Sequence, residues 1–312
     1  MIKSVIINIK FLQQMCLNAI FKQRKNMLFN IIRKMKKYSN KQLFRKIENL
    51  EKEIITLKKI QLNQAYFFKQ NILSFNNRLD NFPYSLKYTK EIFFYLPNFK
   101  NDYIQSHIFL THSFYSENQL KKIDKYLSEE SIVLDIGANI GNHSIYWSLI
   151  SNVKAIYSFE PIKNTFDILQ KNIYINNIKD KIQIFNITLG KENSYADIKF
   201  YDSNNIGATQ ITQKNPSHPS AANVQNIQIV KLDEFINSNF QYEKIDMIKI
   251  DVEGFENNVL AGAVNTIEKY HPTIVIEIFD ENYEKINSFF HSISYSLIEK
   301  LDDTNYIFRH ID

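Results

Sequence analysis

The chain has one cysteine, Cys16, in 312 residues, so neither an intramolecular disulfide nor a cysteine-built zinc cluster is open to it. That usage suits a reducing cytoplasm. Glycine is almost as scarce: there are 6, all between Gly137 and Gly262, and none in the first 136 residues. In so glycine-poor a chain, the clustering marks where the backbone needs unusual dihedrals or close approach to another group. A long apolar run is also missing. Residues 1–21 are apolar but interrupted by Lys3, Lys10, Gln13, Gln14 and Asn18, whereas a membrane span needs about 20 mostly apolar residues. The same interruptions, with no small-residue cleavage pattern after them, speak against a secretory leader.

The net charge of +5 hides an asymmetry. Residues 1–60 carry 15 Lys/Arg against 3 Asp/Glu, or +12, and the rest of the chain is therefore at −7. Within the basic part, Leu43, Ile47, Leu50, Ile54 and Leu57 recur at four, three, four and three residues, a short heptad seam with charged flanks. Several readings fit residues 1–60, among them a basic arm for nucleic acid and an amphipathic helix that packs on its own domain. A basic amphipathic helix can lie on an anionic membrane surface. Two copies can pair through the seam into a homodimer. The plain alternative is a solvated helical face. The acidic balance of the remainder argues against nucleic acid as a partner.

Residues 1–80 thus read as a basic helical extension, and residues 81–130 as a lead-in. The lead-in holds a strand at 91–96 and a helix opened by the capping-box pattern Ser116-Glu117-Asn118-Gln119. From residue 131 to 312, strands and helices alternate. Strands are expected at 131–136, 154–160, 181–187, 227–230, 245–250 and 273–279. Helices are expected at 142–150, 163–176, 232–237, 255–269 and 281–291, and two last strands near 295–299 and 306–310. A polar insertion over about 188–226, with a strand near 197–201, interrupts the rhythm; such insertions usually sit over a site. The alternation implies an α/β fold, a mostly parallel doubly wound sheet covered by helices on both faces.

Two constellations carry chemistry. In the first, the apolar run Ile132-Val133-Leu134 ends in Asp135, followed by Ile136-Gly137-Ala138-Asn139-Ile140-Gly141-Asn142-His143. Twenty-five residues after Asp135, a second run ends in Glu160, and an acid at the tip of the second strand of a βαβ unit holds ribose hydroxyls. The glycine spacing is not the Gly-x-Gly-x-x-Gly of dinucleotide sites, which need a middle glycine for a pyrophosphate. A carboxylate beside the ligand suits a cationic cofactor, which points to S-adenosylmethionine rather than NAD. The second constellation is Lys249-Ile250-Asp251-Val252-Glu253-Gly254-Phe255-Glu256, a strand delivering three carboxylates to its C-terminal end. These can serve as a general base, orient a hydroxyl or hold a metal ion, and Glu256 can equally complement a helix dipole. We favour Asp251 as base, Glu253 as orienter of the acceptor and His143 as the alternative base, with no metal. Glu277, inside the apolar run 273–279, is costly there unless it is paired or faces a site. No His-Glu-x-x-His metal motif occurs, nor the Asn-Pro-Pro-aromatic tetrad of amino-methylating nucleic-acid enzymes.

These residues resemble a known family. From about Phe93 to Phe279 the chain is similar to FkbM-type S-adenosylmethionine-dependent methyltransferases, on three ordered motifs: 133–143, Ser158-Phe159-Glu160-Pro161, and 249–256. Asn186-Ile187-Thr188-Leu189-Gly190 and Leu232-Asp233-Glu234 add support. The resemblance implies a class I, Rossmann-like methyltransferase fold and methyl transfer, usually to oxygen on sugars or polyketide-like products. It implies that Asp135, Gly137 and Asn139, with Gly141 and Asn142 in the same motif, line the methionine end of the cofactor. Glu160 would face the ribose, Asn186 the adenine, and Asp251 and its neighbours the acceptor. The expectation is a cytoplasmic O-methyltransferase of a glycan or glycan precursor, in peripheral contact with the inner membrane face if residues 1–60 bind lipid. The rival is a membrane-surface interaction protein with a degenerate nucleotide-fold domain, or a nucleic-acid methyltransferase.

Overall fold

A computed structural model describes residues 84–88, 90–199, 211–213 and 224–311. The expected helical extension over 1–80, its membrane contact and its heptad pairing lie outside the described residues. A hairpin, β1 (Tyr84–Lys87) and β2 (Glu91–Phe94), and two helices, α1 (Tyr103–Thr111) and α2 (Glu117–Ile123), precede the alternating region. Then come β3 (Ile132–Ile136), α3 (Asn142–Leu149), β4 (Ala155–Phe159), α4 (Lys163–Ile175) and β5 (Ile182–Phe185). The expected insertion contains β6 (Thr188–Gly190), β7 (Ser194–Lys199) and β8 (Ile211–Gln213), and leads into β9 (Val224–Lys231). The chain continues through α5 (Leu232–Asn239), β10 (Met247–Ile250), α6 (Glu256–Ala261), α7 (Val264–Tyr270), β11 (Thr273–Glu277), α8 (Tyr283–Ser292), β12 (Tyr295–Lys300) and β13 (Asn305–His310).

Seven strands form one sheet in the order β12-β13-β11-β10-β3-β4-β5. The five from β11 to β5 are parallel, and β13 runs antiparallel between β11 and β12. Crossovers through helices account for the parallel part, and the tight 301–304 connection for the antiparallel hairpin. Alternate residues of β3 point to opposite faces, as strand geometry requires. Ile132, Leu134 and Ile136 pack with α5 to α8 residues such as Phe235, Val259, Ile267 and Phe290. Val133, on the other face, packs with Ile145, Leu169 and the lead-in residues Ile92, Phe94, Ile108 and Leu120. The sheet is therefore doubly wound, an α/β fold of the Rossmann-like class I type. Among the described residues, no helix is long and apolar enough to cross a membrane.

The lead-in is tied to α4 by two asparagines. Asn176 Oδ1 accepts from Phe93 N–H at 2.8 Å and Asn172 Oδ1 from Tyr95 N–H at 2.6 Å. The insertion strands and β9 form a separate four-stranded sheet in the order β6-β9-β7-β8.

Two local expectations change. Ser116 sits in the left-handed region (φ 51°) and its side chain does not cap α2. The helix expected over 255–269 is broken into α6 and α7 at Gly262. A Cβ there would lie 1.9 Å from the Gly190 carbonyl oxygen, and the Gly262 carbonyl accepts from Asp233 N–H at 3.0 Å. Tertiary contact with two neighbouring segments outweighs the helical periodicity.

Candidate active site

The chain runs outward from β3 in both directions, to β4 and β5 on one side and to β10 and β11 on the other. Their boundary, between β3 and β10, is the topological switch point where open α/β sheets bind ligands, beyond the carboxyl ends of the strands. A cleft opens there, enclosing about 860 Å³ of empty space that includes open solvent. Its lining includes Gly137, Asn139, Asn142, His143, Glu160, Lys249, Asp251 and Glu253, with Ile104 and Tyr115 from the lead-in.

The turn after β3 is built for close approach. Gly137 has φ +81°, and a Cβ on it would lie 1.8 Å from the carbonyl oxygen of Asp251. The N–H groups of Gly137 and Ala138 both donate to the Phe159 carbonyl at 2.9 Å, which ties the turn to the end of β4. Asn139 is left-handed (φ 51°) and its N–H donates to Glu160 Oε2 at 3.0 Å. Glu160 Oε1 accepts from Ile162 N–H at 2.9 Å. A carboxylate offers about four lone-pair positions, so each oxygen keeps one for a ligand. A pair of vicinal hydroxyls, as on a ribose, fits that remaining capacity. Burial pushes the Glu160 carboxyl up to about 7, against the pull of those two backbone donors. Asn186 Nδ2 donates to the carbonyls of Glu160 and Pro161 at 2.9 and 3.0 Å and so braces this segment.

Behind the turn lies a buried ion cluster. Lys249 and Asp135 are register partners on β10 and β3. The Lys249 Nζ is 3.4 Å from Asp135 Oδ1, 3.3 Å from Asp251 Oδ2 and 3.2 Å from the Gly137 carbonyl. Burial opposes this ammonium, but Asp251 and Asp135 outweigh it and hold its pKa above the ordinary lysine range. Asp135 is fully buried and also accepts a short hydrogen bond from Ser144 Oγ. Removing Lys249 would be costly, because it would leave the buried Asp135 without its cation, whereas loss of either aspartate leaves Lys249 the other.

The loop after β10 turns sharply, with Glu253 at φ 52° and Gly254 at φ +96°. Glu256 makes this turn possible: its Oε1 accepts from Gly254 N–H at 2.9 Å and from Val252 N–H at 3.4 Å. Its role is to cap the loop, while Asp251 and Glu253 face the cleft. Burial, then the charge of Asp251, pushes Glu253 up to about 7. His143, at the start of α3, packs its ring 5.4 Å from that of Trp147. Burial and then Lys249 hold its pKa well below the usual histidine value, so it is a neutral imidazole. Asn142 clamps Tyr115 in the cleft wall, accepting from its N–H at 2.9 Å and donating to its carbonyl at 3.0 Å.

Gly137, Asn139, Asn142, His143, Glu160, Asp251 and Glu253 therefore meet in one cleft. Asp135 sits one layer beneath it, Gly141 packs against Leu169, and Asn186 supports the Glu160 segment from outside the lining. Sequence reasoning named Lys249 only as the start of a motif and gave it no role, although a lysine inside Met247-Ile248-Lys249-Ile250 carries the same signal as Glu277, a charge in an apolar strand. Tyr115 and Ile104 gave no such signal, because nothing local places the lead-in against the site.

The raised carboxyls make stability depend on pH. Glu160, Glu253 and Glu277, ordinarily near 4.5, lie at about 7, 7 and 8, in each case chiefly through burial. The folded state then holds protons that the unfolded chain has released, so this contribution is complete below about 4.5 and is lost as pH rises through 7 to 8. The melting temperature of the cofactor-free protein should fall between about pH 5 and about pH 8, and Glu253→Gln should flatten that fall. Calorimetry that found the same slope in both proteins would refute the assignment.

Known proteins similar to this chain are methyltransferases. Methyltransferase 1 of Beauveria bassiana is 26% identical over 165 residues, covering 49% of this chain and 66% of that protein. The hexuronic acid methyltransferase AglP of Haloferax volcanii is 30% identical over 149 residues, covering 47% of this chain and 56% of that protein. The chain thus spans less than two thirds of the length of either relative. The crystal structure of methyltransferase FkbM from Methylobacillus flagellatus KT superposes with a TM-score of 0.42 at 16% identity, over 59% of this chain and 44% of that one. Residues 135–307, more than half of the chain, match the methyltransferase FkbM domain, and the protein belongs to that family.

Proposed function

We propose that the protein is an S-adenosylmethionine-dependent O-methyltransferase acting on a hydroxyl of a sugar, glycan or glycan precursor. The observation that carries this reading is the arrangement of acids about the glycine turn. Glu160, with spare acceptor capacity, lies on the β4 side, and Asp251 and Glu253 lie on the β10 side. The hexuronic acid methyltransferase among the relatives supports a sugar acceptor. Cytoplasmic action is part of the proposal, supported by a sequence with a single cysteine.

S-adenosylmethionine, the methyl donor of the family, supplies an electrophilic methyl group on a sulfonium. The protein's part is to hold and orient. Glu160 would accept hydrogen bonds from the ribose hydroxyls, and Gly137 keeps the turn free of side chain so that a ligand can approach the backbone. Glu253 orients the acceptor hydroxyl, and Asp251 receives its proton as the oxygen is methylated. His143, neutral and in the same cleft, is the alternative base. Positioning alone supplies much of the rate, and a base adds about 10²–10⁴-fold.

Two measurements test the reading. Calorimetric titration with S-adenosylhomocysteine should show binding, weakened in Glu160→Ala by about 1–3 kcal/mol through loss of a buried hydrogen-bond partner. Incubation with S-adenosylmethionine and a panel of hexoses and uronic acids should give products heavier by one CH₂ unit. Unchanged affinity in the variant would remove the site assignment, and methylation of RNA but of no sugar would replace the acceptor class.

A further inference from the structure

Glu277 ends β11 in a run whose other members, Thr273 to Ile276, are buried. Ile250 and Ile276 are register partners, so the next residues, Asp251 and Glu277, lie side by side at the carboxyl ends of β10 and β11. Oxygens of Asp251, Glu253 and Glu277 fall within 4.8 Å of one another. Three anions that close repel strongly, and sharing a proton is the usual relief, as in other carboxylate pairs. The surroundings decide which group keeps it. Asp251 has the Lys249 ammonium at 3.3 Å as its ionic partner. Glu277 has a hydroxyl instead: Thr304 Oγ1 donates to its Oε1 at 3.2 Å. That contact pulls toward the ionised form, but burial and the charges of Asp251 and Glu253 outweigh it, and the Glu277 carboxyl lies within hydrogen-bonding reach of Asp251.

We propose that Glu277 works as a neutral carboxylic acid that donates a hydrogen bond to Asp251 and holds that carboxylate in place to receive the acceptor's proton. The inference rests on Asp251 being the base in the reading above. Glu277 is a positioning residue: it keeps its own proton throughout. The acceptor O–H proton passes to Asp251 while the O–CH₃ bond forms and the S–CH₃ bond breaks, leaving a neutral thioether and a methyl ether. The charged and titratable groups around Glu277 agree with the assignment. Asp251 and Glu253 face it from the loop after β10, with Lys249 behind Asp251, Glu256 beyond Glu253, and Tyr115 from the lead-in near both Asp251 and Glu277. Burial, then the charges of Asp251 and Glu253, pushes the Glu277 carboxyl up to about 8.

Glutamine can donate the same hydrogen bond without a titratable proton, and alanine cannot. In the full chain, Glu277→Gln should keep kcat at pH 7 within about threefold of wild type, and Glu277→Ala should lose roughly 10–100-fold, with KM for S-adenosylmethionine little changed in both. Wild-type kcat should decline above about pH 8 as Glu277 ionises, and that decline should be missing in Glu277→Gln. A readout independent of turnover is the carboxyl ¹³C resonance of glutamate-labelled, cofactor-free protein, assigned by its loss in Glu277→Gln. It should titrate well above the ordinary 4.5. Titration near that ordinary value overturns the proposal even if no acceptor is found, and it does so if alanine cannot be produced folded. Glutamine as damaging as alanine also overturns it, because an ionised carboxylate would then be required. If EDTA abolished activity and magnesium restored it in wild type, that requirement would be metal binding.

Discussion

Replacing Gly137 by alanine should cost about 2–5 kcal/mol of stability and abolish binding of S-adenosylhomocysteine. The first part of that cost is conformational: at φ +81° a side chain is strained by about 1–2 kcal/mol. The second is steric. The new Cβ would lie 1.8 Å from the Asp251 carbonyl oxygen, a backbone atom that no rotamer change can move. Forcing an extra methyl group into a packed site typically costs a further 1–3 kcal/mol, roughly. The turn and the loop after β10 must separate, so both walls of the cleft shift together. Gly254→Ala is the control: its φ is +96°, but a Cβ there meets nothing within 4 Å. That variant should lose only about 1–2 kcal/mol, the conformational part alone. Urea unfolding of the two variants, with calorimetric titration of each, separates the contributions. Equal losses of stability would show that the Asp251 carbonyl does not oppose a side chain at residue 137.

Asp251→Asn should lower kcat by about 10²–10⁴-fold while leaving cofactor affinity nearly unchanged. The substitution keeps the shape and removes the proton acceptor. It also deprives Lys249 of one of its two carboxylates, but Asp135 at 3.4 Å remains, so the buried ammonium is not orphaned. A drop in kcat without a matching change in the S-adenosylhomocysteine dissociation constant is therefore the expected signature. If turnover instead survives in Asp251→Asn and collapses in His143→Ala, the neutral imidazole at the start of α3 is the base and the two residues exchange roles.

How much of this site was legible depended on how local each signal was. The turn at 137–141 and the acids at 160 and 251–253 announce themselves because residue type, strand end and glycine sit within a few positions of one another. The Lys249–Asp135 pair does not, because it depends on a parallel register between strands 114 residues apart. The isolated charge of Glu277 was visible as an anomaly, but its partner became visible only when β10 and β11 lay side by side. Ser116-x-x-Gln119 had the composition of a capping box, yet the backbone at Ser116 adopts a left-handed conformation, where the motif cannot form. The helix read through 255–269 failed for the same kind of reason, since apolar spacing does not report that Gly190 would press against Gly262. The strand order, with β13 between β11 and β12, carries no local signature at all.

That placement of β13 bears on how the molecule is made. The strand carrying Glu277 has β10 on one side and residues 305–310 on the other, and the Ile278 N–H is satisfied by the Thr304 carbonyl at 2.7 Å. During synthesis, the β3-to-β5 units emerge long before the segment that completes this side of the sheet. Until residue 310 has left the ribosome, β11 presents an unpaired apolar edge, the kind of edge that recruits strands from other chains. Parallel pairings between distant segments are also slow to form. The acidic half of the cleft should therefore be the last part to take shape, and nascent chains stalled before residue 305 should be the ones that chaperones retain.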